Sequence, residues 1–172
     1  HALVTTHLSA AAAMFSWILL EYLKNGKPSL VGASTGLVAG LVAITPGAGF
    51  VSTWSAVIIG LLVSPVCFYA IAIVKHKLGY DDALDAFGCH GVGGIFGGIV
   101  TGLFTTPELA LDPDNIGLIY GNPRLFLVTI AAIVFTIVWS AGMTFVLMKG
   151  ISFFMPLRVS DREEVIGLDD TE

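Results

Sequence analysis

One histidine and two carboxylates lie close together in a stretch that is otherwise apolar and rich in glycine. His90 follows Asp82 by eight residues and Asp85 by five. An imidazole donates and accepts hydrogen bonds and exchanges protons near neutral pH, so His90 is a candidate for proton transfer or for contact with a small polar solute. The alternative is a neutral histidine that hydrogen-bonds between packed helices.

The two carboxylates are predicted at the start of the helix that carries His90. A carboxylate there accepts from the free N–H groups of the first turn and faces the positive end of the helix dipole. Asp82 and Asp85 either cap this helix or line its mouth, and the sequence leaves both roles open. Cys89 adjoins His90 but points about 100° away on a helix, and no CxxC or HxxxH spacing occurs. No metal site, cofactor or enzyme active site is therefore predicted.

The residues on the predicted face of His90 are small. Ala86 precedes it by four residues and Gly94 follows by four, which places all three on one side of a helix. Seven glycines lie between residues 88 and 102, a spacing that allows close helix approach in membranes. The pattern predicts a narrow, mostly apolar passage for a small molecule, because a bare ion needs more polar ligands than this face supplies.

The composition predicts that lipid surrounds most of the chain. Of the 172 residues, 55% are hydrophobic and 12% are charged, and the mean hydropathy is +0.87. About 20 apolar residues are needed for a helix to cross a bilayer core. We predict an all-α integral membrane protein, a polytopic helical bundle whose transmembrane part covers residues 1–155, with spans at about residues 2–20, 30–45, 50–74, 83–105 and 125–148.

The basic residues predict the orientation of these spans. Seven of them fall on one side of the five-span arrangement and only Arg124 on the other, which makes the first side cytoplasmic; the seven are Lys24, Lys27, Lys75, Lys77, Lys149, Arg158 and Arg162. Residues 156–172 form a polar cytoplasmic tail, either a segment that orders on a partner or a solvated terminus. Acidic residues cluster in this tail and account for much of the net charge of −5, so nucleic acid is not an expected partner.

Three runs of the sequence resemble the ammonium transporter family, which includes the Rh proteins. Gly26 to Phe50 is similar to the eighth helix of that family, Asp81 to Phe104 to its tenth helix, and Leu157 to Asp169 to its cytoplasmic tail. The resemblance implies eleven transmembrane helices built as two inverted five-helix repeats with a final helix. It also implies a multi-pass cell-membrane protein assembled as a homotrimer. The chain would then be a fragment comprising helices seven to eleven and the start of the tail.

The resemblance also implies a transport chemistry. His90 matches the second of two pore histidines, and Thr35, Val38, Thr45 and Ala86 match pore-lining or pore-mouth positions. Ammonium would lose a proton at the external mouth, and ammonia would cross the apolar channel while the histidines help to carry the proton. A protein of this kind is a transporter and not an enzyme.

The tail resembles a regulatory segment. Positions of the family's tail are matched by Arg158, Glu163, Glu164, Gly167 and Asp169, and the implied partner is a trimeric PII-type nitrogen-regulatory protein. Two other hypotheses remain. The whole protein is an ammonium sensor that signals through its tail, or it is a structural membrane subunit that does not conduct.

Overall fold

The computed structural model describes residues 1–167, which form helices joined by short turns. The first three helices are α1 (Ala2–Asn25), α2 (Leu30–Ile44) and α3 (Thr53–Tyr69). The later elements are the first π turn (Ala70–Val74), α4 (Lys75–Leu78), the second π turn (Phe87–Gly91), α5 (Val92–Phe104), a 3-10 turn (Leu118–Tyr120), α6 (Arg124–Ser152) and α7 (Asp161–Ile166). His1–Ile133 forms one compact unit, and a second unit begins at Val134.

The helices are long and apolar enough to cross a bilayer in four places within residues 1–167, namely Ala2–Asn25, Thr53–Leu78, Phe87–Phe104 and Arg124–Ser152. The fifth predicted span is α2, which has 15 residues and a length of about 22 Å at 1.5 Å per residue. In the described residues the only β-pairing is an isolated bridge between Val51 and Thr105. The predicted all-α class is confirmed.

The first helix is longer than its apolar stretch. It continues to Asn25 rather than residue 20 and ends where Gly26 adopts the left-handed conformation at φ 75°, which favours glycine. Glu21, whose charge suggested the end of the span, accepts a hydrogen bond of 2.7 Å from the Ser29 amide. Ser29 in turn caps α2 by accepting from Gly32 N at 2.9 Å. The Glu21 carboxylate therefore links α1 to the start of α2 and does not mark the end of α1.

The core of the first unit lies where α1, α2 and α3 meet. Its centre is apolar and made mainly of small or branched residues, including Ala13, Ala39, Ala43, Ile59 and Val63. At Gly40, a Cβ would lie 2.6 Å from both the Ser9 carbonyl oxygen and the Ala13 side chain. Because only glycine fits there, α1 and α2 approach closely at this point.

Buried hydroxyl groups hold the same three helices together. Each donates to a carbonyl of a neighbouring helix, in the pairs Ser9 to Gly40 at 3.0 Å, Ser16 to Leu61 at 2.9 Å and Ser64 to Ala13 at 2.6 Å. Such bonds contribute about 0.6 kcal/mol each on average between membrane helices. They also satisfy side chains that would be costly to bury alone.

Glycines set the position of α5 against its neighbours. A Cβ on Gly97 would lie 2.6 Å from the Ala43 carbonyl oxygen of α2, so the close approach predicted from the glycine pattern occurs at this residue. Gly94, in contrast, has no described residue within 4 Å of the position a Cβ would take. The contact at Gly97 fixes the helix that follows the His90 turn.

Candidate functional site

An open cavity of about 560 Å³ lies between the first half of α2 and the segment that leads into the second π turn. Among the residues predicted to line a pore, Thr35, Val38, Ala86 and His90 border this cavity together with Asp85. The other lining residues are Leu30, Val31, Ser34, Leu84 and Cys89. Residues 30–38 and 84–90, two stretches far apart in the chain, thus border the same cavity.

His90 lies in the second π turn, at the point where the helix changes its winding before α5. Its side chain is exposed, whereas the neighbouring Cys89 is buried. Within residues 1–167 no side chain or carbonyl hydrogen-bonds the His90 ring, so both ring nitrogens are available to a solute. Single π turns inside α-helices are frequent at functional sites.

The polar groups beside His90 are already paired. Ser34 Oγ donates to the Leu30 carbonyl at 2.9 Å, and Thr35 Oγ1 donates to the Val31 carbonyl at 2.9 Å. The Asp85 carboxylate is paired with Lys75 at 2.8 Å. The apolar part of the wall includes Leu84, Val38 and Ala86. The site therefore combines one proton-exchanging group with a wall that offers few hydrogen bonds. This arrangement suits a small neutral molecule better than a bare cation, which has to keep polar ligands.

The two carboxylates differ in role, and the helix begins later than predicted. The predicted span starts at residue 83, but the helix starts at Phe87. Asp82 accepts from the amides of Phe87 at 3.0 Å and Gly88 at 3.2 Å, so it caps the turn from outside. Asp85 does not cap the helix. Its backbone is left-handed at φ 54°, and its carboxylate pairs with Lys75 at 2.8 Å.

Thr45 lies apart from this cavity. It is the C-cap of α2, at the opposite end from Thr35, and its hydroxyl donates to the Leu41 carbonyl at 2.6 Å. The structure thus brings four of the five predicted pathway residues to one cavity and leaves Thr45 outside it.

Several lining residues were not singled out from the sequence. Leu30 and Ser34 precede the predicted Val38 at intervals of four in α2 and line the cavity with it, and this helical repeat was a signal that could have marked them. Lys75 was used only to orient the spans, although it contacts the segment before His90. Nothing in the local sequence indicated that contact. In the part of the chain that the structure describes, no group of three or more His, Cys, Asp or Glu side chains is placed to hold a metal ion.

The tail, within the second unit, contains a short capped helix. Ser160 Oγ accepts from Glu163 N at 3.4 Å, and the Glu163 carboxylate accepts from Ser160 N at 2.8 Å, which forms a capping box. Arg158 pairs with Glu164 at 2.8 Å. Gly167 is the C-cap of α7, and Asp169 lies outside the described residues. The predicted tail residues up to Gly167 therefore lie in α7, a helix of six residues, or directly beside it.

The capping box predicts a pH response of the tail. Hydrogen bonds from the Ser160 hydroxyl and then from its amide lower the pKa of Glu163 below the ordinary carboxyl value. A lowered folded-state pKa means that the cap stabilises α7 above the unfolded pKa and is lost as the pH falls through the folded pKa. In a carboxyl-carbon NMR titration, Ser160→Ala is expected to raise the pKa of Glu163 toward the ordinary value. Glu164 is the internal reference, and an unmoved Glu163 titration would contradict the cap.

Comparison with known proteins places these features in a family. The pattern of the Ammonium Transporter Family matches residues 1–172. The chain belongs to the ammonium transporter family. The ammonium transporter of Bacillus subtilis (strain 168) is 48% identical over 171 residues, covering 99% of this chain and 42% of that protein. Amt1 of Archaeoglobus fulgidus is 39% identical over 170 residues, with 98% and 42% covered.

Solved structures of ammonium transporters share this fold. The crystal structure of Saccharomyces cerevisiae Mep2 matches with a TM-score of 0.86 and 32% identity, covering 94% of this chain and 37% of that one. A structure described as a sensor Amt protein matches with a TM-score of 0.87 and 27% identity, covering 99% and 41%. The chain thus spans about two fifths of the length of the ammonium transporters it matches, which agrees with a C-terminal part of such a protein.

Proposed function

We propose that this chain supplies one wall of a pathway that carries ammonium nitrogen across a membrane. The observation that carries the proposal is the exposed His90 in a cavity whose other borders are apolar side chains, hydroxyls already bonded to their own helix, and the Asp85 carboxylate paired with Lys75. Ammonium gives up a proton before it enters, crosses as neutral ammonia and is protonated again at the other side. The proton passes separately, taken up at one nitrogen of His90 and released from the other.

The proposed mechanism explains how potassium is rejected. A potassium ion has the same charge as ammonium and a similar size, but it carries no proton to give up. It therefore has to enter the cavity as a bare cation. The wall offers no ring of carbonyl or carboxylate oxygens for it, since Asp85, the one carboxylate among the lining residues, is paired with Lys75. Selectivity then follows from proton loss and not from the width of the passage.

The whole protein is proposed to be a multi-pass membrane homotrimer with its tail in the cytoplasm. The bias of Lys and Arg to one side supports this orientation. The capped α7 and the Arg158–Glu164 pair give the tail defined structure on which a PII-type regulatory protein is proposed to dock. The mass of the detergent-purified complex tests the trimer.

Current measurements on liposomes test the transport function. The full-length protein is expected to produce a transient inward current when external ammonium is added, because the proton carries net charge across the membrane. Potassium at the same concentration is expected to give no more current than empty liposomes. Liposomes without protein are the control, and an equal response to both cations would contradict a pathway that depends on deprotonation.

Ammonium sensing is the second candidate function. It is favoured by the similarity to the sensor Amt protein structure, at 27% identity. The same liposomes separate the two functions, because a sensor is expected to bind ammonium without producing current. Saturable ammonium binding in calorimetry with no current would replace transport by sensing.

A further inference from the structure

We propose that Lys75 is a positioning residue for His90, holding in place the loop from which the His90 turn begins. The inference deepens the proposed transport function and rests on it for the role of His90. Lys75 itself does not border the cavity that contains His90. It acts through residues 82–85, the segment just before the second π turn.

The Lys75 ammonium group ties both ends of this segment. Its Nζ donates to the Asp82 carbonyl at 2.5 Å and to Asp85 Oδ1 at 2.8 Å. The side chains of Lys75 and Asp85 are only 20% and 32% exposed. An ion pair with this much shielding and a second hydrogen bond is stronger than an exposed surface pair. Lys75, the residue that follows the first π turn, is therefore bonded to the loop that precedes the second.

The tied segment carries the hydrogen bonds that start the His90 turn. The Asp82 carboxylate accepts from the amides of Phe87 and Gly88, and the Asp85 carbonyl accepts from Cys89 N at 2.9 Å. Each of these amides is within three residues of His90. A shift of residues 82–85 would therefore change the orientation of the imidazole.

The backbone of Asp85 needs such support. Its φ of 54° places it in the left-handed region, which is unfavourable for residues with a side chain, although aspartate tolerates it better than most. Asp85 is the only described residue other than glycine with a positive φ. The bond from Lys75 to its carboxylate holds the residue that makes the sharp turn into the helix.

Lys75 does not act alone on this turn. Four residues before it, Ile71 lies in the first π turn, and its side chain fills the space where a Cβ on Gly88 would lie. Ile71 and Lys75 therefore contact the second π turn and the loop before it from one short stretch of chain. The apolar contact fixes the distance between the two π turns, and the ion pair fixes the loop conformation.

Three substitutions in the full-length protein test the inference. Lys75→Met keeps the aliphatic stem and removes the charge, Lys75→Arg keeps the charge, and Lys77→Met is the matched control on the same helix, where the side chain is exposed. Lys75→Met is expected to lower the ammonium current in liposomes by about 10- to 100-fold, in line with the cost of misplacing a reacting group by about 1 Å. Lys75→Arg is expected to keep most of the current of the unsubstituted protein, and Lys77→Met to leave the current unchanged.

A second readout does not depend on transport. Cys89 is 5% exposed in the turn, so its reaction with a small membrane-permeant thiol reagent, followed by mass spectrometry of its peptide, reports the packing of that turn. Lys75→Met and Asp85→Asn are each expected to speed this reaction. The double variant is expected to react no faster than Lys75→Met, because that substitution already removes the contact with Asp85. Lys77→Met is expected to leave Cys89 protected.

The two readouts separate failure of the inference from failure of the proposed function. If the unsubstituted protein carries no ammonium current, transport is wrong, while the Cys89 reaction still decides whether Lys75 holds the turn. If Lys75→Met matches Lys77→Met in current and in Cys89 protection, the positioning role is overturned. Should Lys75→Met fail to assemble, Asp85→Asn compared with Lys77→Met decides the positioning role from Cys89 protection, because the current of a variant at Asp85, which borders the cavity, also reports a direct change in the pathway.

Discussion

Replacing His90 with alanine in the full-length protein is expected to reduce the ammonium-driven current by about 100-fold or more, the range that a positioned proton-transfer group typically contributes. The cavity remains open in this variant, and its wall becomes more apolar, so passage of neutral ammonia is not blocked. The proton loses its carrier, since the Ser34 and Thr35 hydroxyls donate to their own helix. Current in liposomes measures the loss.

Two further variants sharpen the His90 experiment. His90→Gln places an amide of similar reach in the cavity, which hydrogen-bonds but cannot carry a proton at neutral pH. It is expected to lose current as alanine does. His7→Ala is the matched control, because His7 is exposed on α1, bonds the Leu3 carbonyl at 2.8 Å and does not line the cavity. Normal current in His90→Ala would remove this residue from the mechanism, and normal current in His90→Gln alone would reduce its role to hydrogen bonding.

Replacing Gly60 with valine is expected to prevent most molecules of the protein from folding. A Cβ at this position in α3 would lie 3.0 Å from the Ala12 side chain and closer still to the Ser9 carbonyl oxygen. The obstacle is helix backbone, which cannot rotate away as a side chain can. Overpacking of this kind typically costs about 1–3 kcal/mol and occasionally more, and here it would also part α1 from α3, next to the bond from Ser64 to the Ala13 carbonyl.

The yield of folded complex and its thermal midpoint in detergent measure this effect. Gly60→Ala is expected to show a smaller loss in the same direction, since it adds only the first carbon. Gly142→Ala is the control, because within residues 1–167 nothing lies within 4 Å of the carbon added at this position in α6. A Gly60→Val protein with normal yield and midpoint would show that α1 and α3 separate at little cost.

The helices and the cavity wall were predictable because each depends on local patterns. Uncharged stretches of bilayer length predicted the helices, and spacing around His90 placed Ala86 beside it in the cavity. The boundaries were less predictable, since charge was taken as the end of a span. Glu21 instead bonds Ser29 within a helix that continues to Asn25.

Contacts between distant segments were the part that sequence reasoning could not reach. The partner of Asp85 is ten residues away on another element, and its left-handed backbone delays the helix start to Phe87. An aspartate three residues after another is compatible with a second cap and with a place at the mouth of the helix, so local spacing left both roles of Asp85 open. The contacts of the buried serines that join α1 to α2 and α3 could not be predicted either, because serine is also common on the protein surface.

The inward folding of the Ser34 and Thr35 hydroxyls has an electrical consequence. A relay of protons through water needs groups that both donate and accept a hydrogen. The Ser34 and Thr35 hydroxyls already donate their hydrogens to the Leu30 and Val31 carbonyls. Freeing either one costs a hydrogen bond of about 1 kcal/mol. In the proposed transport function, this side of the cavity therefore adds no proton route of its own, and the charge that crosses the membrane does so by way of His90.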